Sequence, residues 1–287
     1  MDRMLVAVDG SDANRAALAW ALDEAERTGA ALTIATVADL WQITGPFPGA
    51  PPPLPETDFV QPIADLAADA ARERLGEERV AVEVRAGHPV RVLLDLAEGH
   101  TVLVIGKRGQ GALRRVVIGS TSIAVAGRSP IPVVVVPDPW DQAAAAGRPV
   151  LVGMDMDKEH DAALGQAFTQ ASRRDVELQV LQGWVPHPLL VGEATVATPY
   201  YTKWAEHCYE QLEAYVERAR ADFPDVTVTI DQAQVHPVDL LTERSELAQL
   251  LVLGRDPKER WSGFTLGSVA RGVLHHSHVP VAVVPAD

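Results

Sequence analysis

The sequence holds a single cysteine, Cys208. No intrachain disulfide and no multi-cysteine metal centre can form, a pattern that suits a reducing compartment. Basic residues are scarce: 25 Lys and Arg stand against 39 Asp and Glu, a formal net charge of −14. Such a chain is repelled by nucleic acid and by anionic membranes, so neither is expected as a partner. No apolar run approaches the ~20 residues that cross a bilayer. The start, MDRMLVAVDGSD, has an early acidic residue, and Asp9 interrupts its apolar stretch, unlike a secretory signal. The expectation is a cytoplasmic protein. Familiar signatures are missing too. G-x-x-x-x-G-K-[ST], G-x-G-x-x-G after the first apolar run, and G-x-S-x-G are all absent, which argues against P-loop, NAD-binding and α/β-hydrolase chemistry. No nucleophile with a paired base stands out, so no catalytic residue is assigned.

What is present is a long apolar chain that repeats itself. With 287 residues and 47 % apolar content, it can bury the cores of two domains. Met4-Leu-Val-Ala-Val-Asp9 returns as Val150-Leu-Val-Gly-Met-Asp155, and Gly87-His-Pro-Val90 as Val235-His-Pro-Val238. Leu103-Val-Ile-Gly106 returns as Leu251-Val-Leu-Gly254, and Ile118-Gly-Ser120 as Leu266-Gly-Ser268. The run Ser129–Pro137 returns as Ser277–Pro285. The offset is 146 at the first pair and 148 at the others, as expected of one duplicated domain. The expected division is 1–137, a linker 138–148 and 149–287.

Each copy alternates strand and helix. Leu5–Val8, Val102–Ile105 and Val133–Val136 are short apolar runs of the kind buried on both faces of a parallel sheet. Ser11 stands as N-cap of a helix over 14–27, and Pro89 suits the first turn of another. The alternation implies right-handed βαβ units: two tandem Rossmann-like, doubly wound α/β domains, each a five-stranded mainly parallel sheet with helices on both faces. Such sheets bind ligands beyond the carboxyl ends of their strands, where the order reverses. Two proline-rich segments, 43–58 and 183–199, interrupt the pattern and read as surface loops or as lids over that edge. The last strands of the two copies, Val133–Val136 and Val281–Val284, would be exposed edges alone and are expected to pack together.

One glycine cluster carries chemistry. Gly106, Gly109 and Gly119 follow the fourth apolar run at G-2x-G-9x-G spacing, and Ser120 and Thr121 open a helix-like segment. At ordinary glycine frequency, this spacing arises by chance roughly 0.1 times in such a chain, so it counts as a signal. Glycine lets backbone approach a phosphate and adopt positive φ, and a helix start favours an anion. Lys107, Arg108, Arg114 and Arg115 make this the most basic stretch, which suits a polyphosphate. A glycine-rich turn followed by an ordinary helix cap reads the same residues without a ligand.

Val-Ala-Val-Asp9-Gly-Ser, Ala19-Trp-Ala-Leu-Asp-Glu-Ala25, Gly87-His-Pro, the glycine spacing with Gly119-Ser120, and Val-Val-Val-Val-Pro137 together resemble the universal stress protein family, in its ATP-binding subset. The resemblance implies a bound adenine nucleotide, ATP with Mg²⁺. It places Asp9 near ribose and metal-bound phosphates, the Val37 backbone at adenine, and Gly106, Gly109, Gly119, Ser120 and Thr121 around ribose and phosphates. Asp9 also reads as an Asx cap, and Val37 as strand core. The protein itself supplies no metal ligand set; Mg²⁺ would arrive with ATP, near Asp9. The family's dimers imply pairing of the two copies within one chain, and a homodimer of tandem chains is a further expectation.

The second copy keeps Asp155, Gly254, Gly267 and Ser268 but has Pro257 in place of Gly109. Proline lacks an N–H and cannot take positive φ. Weaker nucleotide binding, or none, is expected there. His275-His276-Ser277-His278 reads as a polar helix end rather than a metal site, and Cys208 as inert. Trp41 and Trp184 occupy similar places after the second strands, either under a loop or along the crevice. The function expected is a nucleotide-dependent sensor or regulator of the stress response. A slow ATPase and a ligand-free structural module are the alternatives.

Overall fold

The computed structural model describes residues 2–39, 57–108, 118–155, 161–185, 194–255 and 266–286. The first half runs β1 (Arg3–Ala7), α1 (Asp12–Thr28), β2 (Ala31–Ala38), α2 (Gln61–Leu75), β3 (Val80–Ala86), α3 (Pro89–Ala97), β4 (Val102–Gly106), α4 (Ser120–Arg128) and β5 (Val133–Val136). A short helix, α5 (Gln142–Ala145), lies between the halves. The second half repeats the series as β6 (Val150–Gly153), α6 (Asp161–Arg174), β7 (Leu178–Gly183), α7 (Ala194–Arg220), β8 (Val228–Ala233), α8 (Pro237–Ser245), β9 (Leu250–Arg255), α9 (Ser268–His276) and β10 (Val281–Pro285).

The ten strands of the described residues join one sheet in the order β3-β2-β1-β4-β5-β10-β9-β6-β7-β8. Every pairing is parallel except the central one, where Val281, Ala282 and Val283 run antiparallel to Val135, Val134 and Val133. The two last strands thus cover each other's edges, as their apolar alternation required. Alternation along β1 sends Met4 and Val6 to one face and Leu5 and Ala7 to the other. On the first face lie α1, α2, α6 and α7; on the second lie α3, α4, α8 and α9. Both cores run unbroken across the two halves, and Trp140, in the connection, packs against both.

α1 forms because Ala13, Ala17, Trp20, Ala21, Leu22 and Ala25 recur at helical spacing and are buried. It stops at Gly29, whose left-handed φ of 72° glycine takes at no steric cost. In the second half the helix α7 begins at Ala194, so the segment 183–199 is not all loop, contrary to the expectation. Residues 194–220 contain no glycine and only Pro199 as a breaker, so the helical run reaches back further than the prolines imply.

On the first face the halves also meet through charge. Arg174 donates to Glu24 at 2.7 Å, both side chains being only 3–4 % exposed, and Arg27 approaches Glu24 at 2.9 Å. Burial holds the Arg174 guanidinium down at about 10, against the attraction of Glu24.

Candidate functional site

In the first half the strand order reverses between β1 and β4, which pair at Met4↔Val102, Leu5↔Leu103 and Val6↔Val104. Small polar groups gather beyond their carboxyl ends. The Asp9 carboxylate accepts from the Ser11 backbone N–H at 2.9 Å and from Asn14 Nδ2 at 2.5 Å. The opening turn of α1 is therefore held by Asp9. Ser11 occupies the N-cap position, but its side chain makes no cap hydrogen bond. Asn14 Oδ1 lies where a Cβ on Gly106 would sit, only 2.7 Å from it, and the Ala13 carbonyl is as close at 2.8 Å. Gly106 is thus required by the close approach of α1 to β4. On the other side, Ser122 Oγ donates to the Gly106 carbonyl at 2.7 Å. Asp9, Asn14, Gly106 and Ser122 form one continuous chain of contacts.

Gly119 caps the start of α4 with φ −72° and ψ 145°, and no side-chain cap hydrogen bond is made there. Its N–H donates to the Lys107 carbonyl at 2.8 Å. A Cβ at this position would meet nothing closer than Ser122 Oγ at 3.5 Å. The expected positive φ is absent, and packing against the described residues does not require glycine either. Ser120 is exposed and Thr121 half-buried, at the first turn of a helix whose leading amides have no intrahelical acceptor. The turn is a ready anion site.

Val37 lies half-buried near the end of β2. Ala35 O accepts from Val8 N, and Ala38 O from Gly87 N. Bonding alternates from side to side along a strand in a parallel ladder. Both backbone groups of Val37 therefore face the β1 side, two residues past the last β1 pairing at Ala7↔Ala35. The buried hydroxyls of Ser11 and Thr36, at this same edge, have no hydrogen-bond partner among the described residues. Gly109, Arg114 and Arg115 lie outside the described residues, as do the prolines of 46–55 and Trp41.

The basic stretch behaves differently from the expectation. Lys107 is 6 % exposed, and its Nζ donates to the carbonyls of His275 and Ser277, at 2.9 and 2.7 Å, in the other half. Burial, then Arg108, push its ammonium down to about 8. Arg255, at the equivalent place in the second half, is likewise buried and donates to the carbonyls of Ala126 and Ser129 at 3.1 and 2.8 Å. Both cations reach across the seam between the halves. Each caps the carbonyl end of a helix in the opposite half, because that end presents unsatisfied carbonyls and partial negative charge. Of the described cations in the stretch, Arg108 is exposed.

The second half keeps the frame and changes the filling. Asp155 is exposed at the end of β6, where Asp9 is half-buried. Gly254 lies in β9 and Gly267 caps α9 with φ −60°, again without a side-chain cap. Ser268 opens that helix, but Ala270 stands where the first half has Ser122. At the place of Val37, a Cβ on Gly183 would come within 2.8 Å of Pro237 Cα, so the start of α8 packs against the strand end. Pro257 lies outside the described residues. Trp184 meets Trp204 edge-on at 5.0 Å between ring centroids, and a cavity of about 570 Å³ opens beside it, with Tyr209 and Gln232 in its wall. Among the described residues, no group of three or more His, Cys, Asp or Glu could hold a metal, and no helix is long and apolar enough to cross a membrane.

The molecule is a tandem, doubly wound α/β protein whose first half starts α4, without a side-chain cap, beside its reversal point. The family model described as the universal stress protein family matches residues 1–137 and 147–285. A universal stress protein of Mycolicibacterium smegmatis is 34 % identical over 293 residues, covering 98 % of this chain and 96 % of that one. One from Mycobacterium tuberculosis is 32 % identical over 296 residues, at the same two coverages of 98 % and 96 %. Among solved structures, a universal stress protein from Archaeoglobus fulgidus aligns with a TM-score of 0.68 at 19 % identity, over 99 % of this chain and 96 % of that one. The chain belongs to the universal stress protein family, in its tandem two-domain form.

The sequence missed Asn14 and Ser122. Both are small polar residues on helix positions that are buried, Asn14 at 6 % and Ser122 at 3 % exposure. A polar residue at an apolar helical position was the available signal.

Proposed function

We propose that the first half binds ATP with Mg²⁺ in the crevice between the ends of β1, β2 and β4 and the start of α4. In this reading the amides after Gly119, those of Ser120 and Thr121, hold phosphate. Gly106 and Gly109 let the backbone come close, the Val37 backbone meets adenine, and Asp9 stands near ribose and Mg²⁺. The donor set fits: uncapped amides for an anion, paired backbone groups for a heteroaromatic edge, and two buried hydroxyls, Ser11 and Thr36, to spare. Mg²⁺ would neutralise phosphate charge in an otherwise acidic chain. The observation that carries the reading is Gly119, a glycine that neither its backbone conformation nor packing against the described residues demands.

The chain then works as a cytoplasmic sensor or regulator of the stress response, with nucleotide occupancy as its signal. The domains are assigned as 1–137 and 149–287, joined by 138–148. The second half, through Asp155, Gly254, Gly267 and Ser268, binds nucleotide more weakly or not at all. Mass spectrometry of the denatured, freshly purified protein tests the reading. Co-purified ATP or ADP at about one per chain is expected. A chain that carries no nucleotide, and gives no heat on titration with MgATP, overturns it.

A further inference from the structure

Lys107 and Arg255 are related by the repeat, and each crosses the central β5–β10 seam. Their side chains do the same thing in opposite directions. Arg255 follows Gly254 at the end of β9 and binds the carbonyl end of α4, through Ala126 O and the Ser129 carbonyl just past it. α4 is the helix whose other end carries Gly119, Ser120 and Thr121. Lys107 follows Gly106 at the end of β4 and binds the last carbonyls of α9, whose other end carries Gly267 and Ser268. The backbone of Lys107 is also engaged: its carbonyl accepts from Gly119 N, and its N–H donates to Val136 O.

A buried cation on helix carbonyls does two physical things. It fixes the helix along its axis, and it offsets the partial negative charge that would otherwise oppose an anion-binding role at the far end. α4 spans only nine residues, so the positional restraint reaches its first turn. Ser122, in that turn, also grips the Gly106 carbonyl, so an axial shift of α4 would disturb strand end and helix start together.

We propose that Arg255 is a positioning residue for the anion cradle of the first half, although it belongs to the second, and that Lys107 does the same in return for α9. The second half then sets the affinity of the first half's site even where it holds no ligand of its own. The inference rests on the nucleotide reading for its binding readout but not for its structural one.

The test uses the full chain with Arg255→Met and Arg255→Lys. Calorimetric titration with MgATP reads affinity, and amide hydrogen exchange of the ligand-free chain over residues 118–124 reads the cradle. Arg255→Met is expected to weaken ATP about tenfold, within the usual range of site-to-site coupling, and to speed exchange at 118–124 while α1 keeps its protection. Arg255→Lys is expected to restore both, because Lys107 already spans two such carbonyls. A purely structural role would lower the melting temperature and leave the affinity of the folded chain unchanged. Unchanged MgATP affinity in folded Arg255→Met overturns the proposal, as does Arg255→Lys behaving like Arg255→Met. If the wild type binds no MgATP, the nucleotide reading fails and the exchange arm alone decides this one.

Discussion

The two halves share strand order, helix order and the arrangement of caps, yet they diverge at the carboxyl edge. In the first half, Asp9, Asn14, Gly106 and Ser122 touch in succession and tie β1, β4 and α4 together. The second half has His160 in place of Asn14 and Ala270 in place of Ser122. Its Gly183 admits the start of α8 against β7, where the first half keeps the larger Val37. The strands beneath stay equally buried in both halves, with β5 and β10 in register at the seam. The frame therefore stands on apolar strands, helix packing and crossed caps. The polar filling of the crevice is separable from it, and a duplicated domain can change its filling without losing its fold.

The strongest break of this comparison lies at the junction itself, where the halves are not equivalent. Glu24 of the first half corresponds to Gln170 of the second, and Arg174 of the second to Thr28 of the first, so the buried pair has no symmetric counterpart. Arg174→Met leaves Glu24, 4 % exposed, with Arg27 alone. Loss of one partner of a buried pair costs roughly 3–5 kcal/mol, and the remaining arginine keeps the loss near about 3. Urea unfolding measures it. A loss below about 1 kcal/mol would mean that the pair adds little to the junction.

Next comes the contrast between helix starts. Gly119→Val places branched carbons at the α4 cradle, and Gly267→Val does the same at α9. The first is expected to weaken MgATP by about 100-fold or more, near 2.7 kcal/mol, and the second to leave the tighter binding event untouched. Calorimetry on both full-length variants separates them. Equal losses would show that both cradles work. No loss in Gly119→Val would move the site elsewhere.

Two glycines of one motif sharpen the point within the first half. A Cβ on Gly106 would lie 2.7–2.9 Å from Asn14 and Ala13, whereas one on Gly119 would stay at 3.5 Å or more from its neighbours. Gly106→Ala should cost about 1–3 kcal/mol through forced displacement of α1. Gly119→Ala should change stability by less than about 0.5 kcal/mol. Thermal melts of the two variants side by side check this, and similar losses would contradict the packing argument.

Much of this frame was legible before the structure. Val133–Val136 and Val102–Ile105 read as buried strands, and the repeat paired each with its copy. The crossing cations were not legible. Lys107 follows a buried strand in a glycine-rich loop, where local sequence counts it as charge for a phosphate. Its acceptors, the carbonyls of His275 and Ser277, are 168 and 170 residues away, and backbone carbonyls carry no residue signature. Gly106 and Gly119 look alike as letters, yet one answers to the approach of α1 and the other to no close contact among the described residues. Asn14 and Ser122 act by contact across elements, which periodicity does not encode.

The smallest effect concerns the two caps, which differ in one respect: one is a lysine ammonium whose proton affinity burial lowers, the other an arginine guanidinium. Burial holds the folded Lys107 at about 8, below its ordinary 10.5. Between those values the unfolded chain binds more protons than the folded one, so this residue makes stability rise with pH there. Below about pH 8 both states are protonated, and the lysine adds no slope. Lys107→Arg keeps a cation and its donors but removes the titration. The stability of the wild type minus that of Lys107→Arg should therefore be flat from pH 6.5 to about 7.5 and climb from about 8 to 10. Chemical denaturation of both proteins across that range reads the difference and cancels the other titrating groups, which the two share. A difference that stays flat up to pH 10 would show that Lys107 keeps its ordinary proton affinity in the seam, and that the lysine and arginine caps are equivalent in charge as well as in place.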